Sequence, residues 1–255
     1  MHASLPLFRR LTLACTLALL FCLPVRAEEM TVSAAASLTN AFTELKNLFE
    51  QRHPGLALNL NFAASNPLLK QLQEGAPVDV FASADQATMD KAVASKVVDP
   101  STRKNFALND LVLIVPKGAA KPVGLADLTA FKKIALGNPD SVPAGRYAKA
   151  ALASAGLWEK LRPQYIYGNS VRQVLDYVAR GEVDAGFVYH TDARQMADKV
   201  DMVMPVQGHE PVMYPIAVAT TGKNPQRGLD FCLFVLSPQG QAVLAKYGFS
   251  EPGSK

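Results

Sequence analysis

Residues 30–55 of this 255-residue chain are MTVSAAASLTNAFTELKNLFEQRHPG, and they predict a strand followed by a helix. Apolar and polar residues alternate over Met30–Ala34, which is typical of a strand. Apolar residues recur at helical spacing over Thr39–Arg52, and Pro54-Gly55 ends the helix. The apolar face of this helix comprises Ala41, Phe42, Leu45, Leu48 and Phe49. The segment Ala34-Ala35-Ala36-Ser37-Leu38-Thr39, made mostly of small residues, joins the strand to the helix.

The same alternation of strand and helix continues along the chain. Further strands are predicted at Leu56–Phe62, Val78–Ala82, Leu111–Val115, Ile134–Leu136, Ala185–Val188 and Tyr214–Ala219. Further helices are predicted at Pro67–Glu74, Ala87–Ser95, Tyr147–Ala155, Val171–Ala179 and two C-terminal segments, the second opening with Ser237-Pro238. This order predicts an α/β fold with open, parallel-type sheets flanked by helices. In such sheets a ligand lies beyond the carboxyl ends of the strands.

The first 27 residues have the layout of a secretory signal peptide. Arg9 and Arg10 precede the apolar run Leu11–Leu23, and Val25-Arg26-Ala27 supplies small residues for cleavage. The apolar run is too short for a permanent membrane anchor. We therefore expect a cleaved leader over residues 1–27 and a soluble periplasmic product that starts near Glu28.

Charge and cysteine content narrow the class of protein. Lysine plus arginine number 26 against 22 acidic residues, and three of these cations lie in the predicted leader. The mature chain is thus nearly neutral and has no basic stripe, which argues against nucleic-acid binding. Cys232 is the one cysteine left, so no intramolecular disulfide is expected. Phe21 stands before Cys22 where a lipoprotein signal needs a small residue, so we expect simple cleavage.

Three more junctions resemble the first one. They are Ala63-Ala64-Ser65-Asn66-Pro67, Val142-Pro143-Ala144-Gly145-Arg146-Tyr147 and Gly168-Asn169-Ser170-Val171. Each leaves unpaired N–H groups at a helix start beside small side chains, so several together could form an anion site without a cation. Alternatively, serine and asparagine at these positions are ordinary helix caps, each contributing about 1 kcal/mol, and bind nothing. The residues alone leave both interpretations open.

Several segments resemble periplasmic molybdate-binding proteins, in register from about Met30 to Phe249. Two of them are the junction Ala34-Ala35-Ala36-Ser37-Leu38-Thr39 and the junction that begins at Val142-Pro143, here extended to Ala148. The others are Gly75-Ala76-Pro77-Val78-Asp79-Val80-Phe81-Ala82-Ser83-Ala84-Asp85, Gly186-Phe187-Val188-Tyr189 and Lys246-Tyr247-Gly248-Phe249. The resemblance implies a two-lobed, type II-like periplasmic-binding-protein fold, each lobe a sheet flanked by helices, with the ligand in the cleft between the lobes. Lobe one would comprise residues 28–108 plus 216–255, and lobe two residues 109–215.

The resemblance also implies the function and the site. The protein would bind molybdate, and with it tungstate, and deliver it as a monomer to the membrane permease of an ABC importer. Ser37 and Ser65 would contribute hydroxyl and backbone N–H groups, Ala144 and Val171 backbone N–H groups, and Tyr189 its phenolic O–H. Molybdenum would be bound only as its oxyanion, through these five residues. No cofactor and no catalytic residue are expected.

Four residues next to the predicted ligand positions depart from the family's pattern or qualify it. Pro67 has no N–H, so any family donor at that position is missing. Asn66 is expected to cap the helix. Arg146 and Arg172 stand beside predicted ligand positions, and we expect them at the rim of the site in solvent.

Other functions remain as alternatives. The ligand could be another tetrahedral oxyanion such as sulfate. A secreted serine hydrolase would need Ser37 or Ser65 as nucleophile with His190 and Asp192. However, no Gly-x-Ser-x-Gly motif surrounds either serine, and Tyr189 and His190 would face opposite sides of a continuing strand. A metal-ion binder is disfavoured because the histidines show no metal-type spacing. Those outside the predicted leader are His53, His190 and His209.

Overall fold

The computed structural model describes residues 28–253, so the predicted signal peptide lies outside the described residues. The strands are β1 (Glu28–Ala35), β2 (Leu56–Ala63), β3 (Val80–Ala82), β4 (Lys104–Asn109), β5 (Leu111–Pro116), β6 (Ile134–Gly137), β7 (Tyr165–Gly168), β8 (Ala185–Tyr189), β9 (Val200–Pro205) and β10 (Val212–Val218). The helices are α1 (Thr39–Arg52), α2 (Ser65–Gln73), α3 (Gln86–Ala94), α4 (Pro143–Ser154), α5 (Trp158–Leu161), α6 (Val171–Ala179), α7 (His190–Gln195), α8 (Pro225–Leu236) and α9 (Pro238–Lys246). Short 3₁₀ turns occupy Ala36–Leu38, Pro100–Thr102, Leu125–Ala130 and Arg162–Gln164.

The strands form two five-stranded sheets, each covered by helices. The first has the order β2-β1-β3-β10-β4 and the second β7-β6-β8-β5-β9. Helices α1–α3 and α8 pack on the first sheet, with α9 against α1 and α8, while α4–α7 belong with the second. We call these two units lobe one and lobe two. The predicted two-lobed α/β fold is confirmed.

The sheets are mixed, which corrects the expectation of parallel-type sheets. Strands β1, β2 and β3 run parallel, but β10 pairs antiparallel with both β3 and β4. Likewise β6, β7 and β8 run parallel, and β5 pairs antiparallel with β8 and β9. The reversed strand of each sheet follows directly after the chain enters from the other lobe, and alternation along the sequence does not reveal this reversal.

The chain passes between the lobes twice. Strand β4 ends at Asn109 in the first sheet and β5 begins at Leu111 in the second, while the return runs from β9 to β10 through residues 206–211. The predicted boundaries at 108/109 and 215/216 stay predictions, and the second falls within β10, a strand of the first sheet.

Buried faces explain where the helices form. Helix α1 has the predicted bounds and buries Ala41, Phe42, Leu45 and Phe49. The ring of Phe42 lies 5.8 Å from that of Phe106 on β4 and 5.9 Å from that of Phe231 on α8. Helix α6 also has the predicted bounds, and Ser237 caps α9 by accepting the N–H of Gly240. Strands β4, β7 and β9 were not predicted, because apolar and polar residues alternate little along them.

Within residues 28–253, no single helix has the length and apolar composition needed to cross a membrane, although the bent pair α8 and α9 passes that test when taken together.

Candidate functional site

Four helix starts converge on one small cavity between the lobes. Its lining comprises Ala35, Ala36, Ser37, Ala64, Ser65, Ala84, Val142, Pro143, Ala144, Val171 and Tyr189. All five predicted ligand residues are among them. Lobe one contributes the 3₁₀ turn that leads into α1 and the start of α2, and lobe two contributes the starts of α4 and α6. The first N–H groups of a helix lack the usual acceptor one turn earlier. Some are engaged here, such as those of Gly145 by the Val142 carbonyl and Gln173 by Ser170 Oγ, and the others remain available to a ligand.

Two glycines bring the start of α4 into position. A Cβ on Gly145 would lie 1.9 Å from the carbonyl oxygen of Gly137, the last residue of β6. A Cβ on Gly137 would lie 2.4 Å from Cγ1 of Val142. Because neither contact is sterically possible, only glycine lets α4 start this close to the strand. The close approach carries Ala144 to the wall of the cavity, where its side chain is buried.

Both serine hydroxyls already have a protein partner that orients them. Ser65 Oγ accepts the backbone N–H of Ala84 at 3.0 Å, which leaves its proton free for another acceptor. Ser37 Oγ lies 2.9 Å from the phenolic oxygen of Tyr214 on β10. Both serines are buried, so their side chains are held in a dry environment.

Tyr189 ends β8 and directs its ring into the same cavity. Its side chain is 1% exposed, and its phenolic oxygen has no hydrogen-bond partner among the described residues. Burial raises the pKa of Tyr189 well above its usual value, with Tyr214 and Tyr147 acting in the same direction. The group therefore keeps its proton at any physiological pH. A buried hydroxyl without a partner is costly, on the order of 1–3 kcal/mol, so its position in the cavity wall suggests a ligand partner.

Arg146 joins the lobes instead of lying in solvent, which corrects the sequence-based expectation. It stands in the first turn of α4, and its side chain is 25% exposed. Its Nε and Nη2 both donate to Asp85 Oδ2 of lobe one, the former at 2.8 Å, and Nη2 also donates to Thr88 Oγ1 at 2.8 Å. Since these contacts cross the cleft, they form only when the lobes meet. Arg146 does not line the cavity.

Arg172 is likewise paired and not at a solvated rim. Its Nε lies 2.6 Å from Oδ1 of the fully buried Asp192, in an ion pair without the geometry of a hydrogen bond. Its Nη2 donates to the carbonyl oxygen of Ser37 in lobe one at 3.4 Å. Burial raises the pKa of Asp192 to about 6, although Arg172 acts in the opposite direction. Both arginines near the cavity are therefore balanced by carboxylates.

Asn66 does not cap α2, contrary to the expectation. The residue preceding α2 is Ala64, and no side chain caps that helix. Instead the Asn66 amide donates to the carbonyl oxygen of Asp140 in lobe two at 2.8 Å, and its Oδ1 accepts from Thr88 Oγ1 at 2.7 Å. Asn66 thus adds a second contact across the cleft, beside that of Arg146. We call Arg146, Asp85, Thr88 and Asn66 the cleft latch.

The geometry does not favour the alternative chemistries. His190 begins α7 where β8 ends, and it does not line the cavity, so neither serine in the wall has a histidine base beside it there. Among residues 28–253, no group of three or more histidine, cysteine or carboxylate side chains is placed to hold a metal ion. The cavity wall presents neutral donors and small apolar side chains.

Some residues around the site were missed because their partners are distant in sequence. Asp85 and Ala84 belong to a segment that carried the family resemblance, but no local pattern indicated their contacts. Tyr214 is separated from Ser37 by 177 positions, and only the tertiary fold brings them together.

Comparison with known proteins agrees with this geometry. The family described as bacterial extracellular solute-binding protein matches residues 30–250. The putative ABC transporter substrate-binding lipoprotein YvgL of Bacillus subtilis is 37% identical over 224 residues, covering 87% of this chain and 86% of that protein. The molybdate-binding protein ModA of Escherichia coli is 37% identical over 230 residues, covering 87% of this chain and 89% of that protein. The structure of the Azotobacter vinelandii periplasmic molybdate-binding protein superposes with a TM-score of 0.77 at 26% identity, covering 88% of this chain and 99% of that one. The chain therefore belongs to the bacterial extracellular solute-binding proteins, a family of binding proteins and not of enzymes.

Proposed function

We propose that this protein binds molybdate, and with it tungstate, in the cavity between the lobes. One observation carries the proposal: four helix starts, two oriented serine hydroxyls and an unpartnered tyrosine hydroxyl meet in one small cavity. The ligand contacts would be the hydroxyls of Ser37, Ser65 and Tyr189 and backbone N–H groups that include those of Ala144 and Val171. The names of the relatives support the choice of anion.

The donor set suits a fully deprotonated dianion. A dianion that enters a cleft loses its hydration, and neutral donors directed at its oxygens can replace it. Monohydrogen phosphate carries a proton, and Ser65 already accepts a hydrogen bond from the protein. An unmatched proton costs on the order of 1–3 kcal/mol, which disfavours phosphate. On the measure used for ligand sites the cavity has a volume of only about 10 Å³, against roughly 300–1,000 Å³ for drug-sized ligands, so it excludes such ligands. Sulfate has the same charge, so only its smaller size would exclude it.

Isothermal titration calorimetry of the chain from Glu28 tests this proposal. Molybdate and tungstate should bind tightly, and sulfate and phosphate weakly or not at all. Ser37→Ala should weaken molybdate binding about tenfold or more, because it removes one donor to a charged acceptor. Ser101→Ala, an exposed serine of lobe one, is the matched control and should bind like the wild type. Absence of molybdate binding, or tight binding of sulfate, would overturn the assignment.

We also infer a periplasmic location and delivery of the anion to the permease of an ABC importer. Residues 1–27 would serve as the export signal, so mass spectrometry of the exported protein should find Glu28 at or near its N-terminus. The lobes would have the boundaries given above, and the protein would act as a monomer without a cofactor. Size-exclusion chromatography with light scattering tests the monomer.

A further inference from the structure

A chain of hydrogen bonds leads from the interlobe crossing to the cavity. Asn109 ends β4, the last strand before the chain enters lobe two. Its Oδ1 accepts the N–H of Asp110 at 3.0 Å, and this bond identifies which amide atom is oxygen. The Nδ2 group donates to Thr191 Oγ1 at 2.8 Å and to the phenolic oxygen of Tyr214 at 3.3 Å. Since an amide nitrogen can only donate, Tyr214 must accept from Asn109.

The phenolic hydroxyl of Tyr214 can also donate a hydrogen bond, and one acceptor, Ser37 Oγ, lies within reach. Its ring is fully buried and packs edge-on against the rings of Phe106, Tyr189 and Phe249, which fixes its orientation. Burial raises the pKa of Tyr214 well above its usual value, so the hydroxyl stays protonated. Ser37 Oγ, at 2.9 Å, is its remaining partner among the described hydrogen bonds.

The hydroxyl of Ser37 must then direct its proton elsewhere. With Tyr214 as the donor, the Ser37 oxygen accepts this hydrogen bond, and the backbone carbonyl of Ser37 accepts from Arg172. Ser37 lines the cavity, and the part of the chain that the structure describes supplies no other partner for its hydroxyl. Ser37 would therefore reach the cavity as a donor and not as an acceptor.

We propose that Tyr214 and Asn109 are positioning residues that fix the hydroxyl of Ser37 as a donor to the bound oxyanion. Neither residue lines the cavity, so both act through Ser37. The proposal rests on the proposed function for the identity of the anion, but the direction of the hydrogen bonds does not depend on it. A hydroxyl that is held in its donating direction loses little rotational freedom on binding, and one of its two lone pairs is already used by the protein.

A double-mutant cycle measures whether Tyr214 acts through Ser37. We expect Tyr214→Phe to weaken molybdate binding on the order of tenfold in the wild-type background. In the Ser37→Ala background the same change should alter the dissociation constant less than about twofold, because the hydroxyl it positions is gone. Equal losses in both backgrounds would mean that Tyr214 acts by packing alone, and would overturn the proposal. Tyr147→Phe, in the same aromatic cluster but outside the cavity wall, is the control for loss of a buried phenol.

Neutron crystallography of the deuterium-exchanged full protein tests the hydrogen-bond direction without any ligand. We expect the Tyr214 deuteron on the line to Ser37 Oγ and the Ser37 deuteron directed towards the cavity. A Ser37 deuteron placed between the two oxygens would refute the relay whatever the protein binds. If the wild type does not bind molybdate, the proposed function fails, while the neutron map still decides the positioning role.

Discussion

The cleft latch should set how long the anion stays bound. We consider Arg146→Met, which keeps much of the aliphatic stem and removes the charge. In the structure, Arg146 donates to Asp85 and Thr88 across the cleft, and the Asp85 side chain is only 5% exposed. When the lobes separate, water can hydrate both charges, so the net gain on closing is smaller than the gross interaction.

The expected change in the dissociation constant follows from the free energy of such contacts. Hydrogen bonds to charged groups contribute roughly 1.5–3 kcal/mol each, and partial exposure of Arg146 places the net effect at the lower limit. A loss of about 1.4 kcal/mol raises the dissociation constant tenfold. Because the latch forms only after the lobes meet, most of this change should appear in the dissociation rate. We therefore expect molybdate to dissociate about ten times faster from Arg146→Met, with a much smaller change in the association rate.

Stopped-flow fluorescence with a competing anion measures the dissociation rate. Arg103→Met is the matched control, since Arg103 is about as buried and pairs with Asp90 at 2.7 Å within lobe one. That variant should dissociate like the wild type. A double-mutant cycle with Asp85→Asn, which keeps an oxygen for the N-cap of α3, should show coupling on the order of 1 kcal/mol. An unchanged dissociation rate in Arg146→Met, or an equal change in Arg103→Met, would refute the latch.

Three further predictions concern the site itself. Tyr189→Phe should raise the free energy of unfolding by up to about 1 kcal/mol, because it removes an unpartnered buried hydroxyl, and thermal unfolding measures this gain. The same change should weaken molybdate binding about tenfold, which calorimetry measures; a loss of stability or unchanged binding would contradict the prediction. Ala144→Pro should weaken molybdate binding at least tenfold by removing one N–H, and Ala144→Ser much less; equal titration curves for the two variants would contradict this. The pKa of Asp192 is raised to about 6 from an ordinary value of 3.8, so between those pH values the folded state holds a proton that the unfolded state releases. The stability of the wild type relative to Asp192→Asn should therefore fall by on the order of 2 kcal/mol as pH rises from 4 to 7 in denaturant titrations, and a rise would contradict the sign.

The local sequence pattern was sufficient to predict the helices that bury one face. Helices α1 and α6 have the predicted bounds because their apolar residues recur at helical spacing, which depends only on neighbours within the helix. Helix α4 begins at Pro143, four residues earlier than expected from Tyr147, because Pro143 suits the first helical turn. Small residues and caps mark the four helix starts locally, but the five site residues were named only through the family resemblance.

The contacts between the lobes could not be found in this way. Arg146 and Asp85 are 61 positions apart, and nothing in either segment identifies the other as its partner. The expectation that Arg146 and Arg172 lie in solvent follows from the usual behaviour of charged residues near helix starts, and it failed because both face the opposite lobe. The expectation that Asn66 caps α2 was wrong for the same reason, since the local sequence around a capping residue and around an interlobe donor is the same.

The placement of charge explains why the two arginines do not contact the cavity. A helix start carries roughly half a positive charge, so the four that converge here supply about two, which matches a dianion. Arg146 and Arg172 are each neutralised by a carboxylate, Asp85 and Asp192, and add little net charge to the cavity. The helix charges do not titrate, and the one titratable side chain in the wall, Tyr189, stays protonated. In the proposed function, recognition of the anion and contact between the lobes therefore rest on different groups, and a variant of Arg146 should change how long the anion is held without changing which anion is chosen.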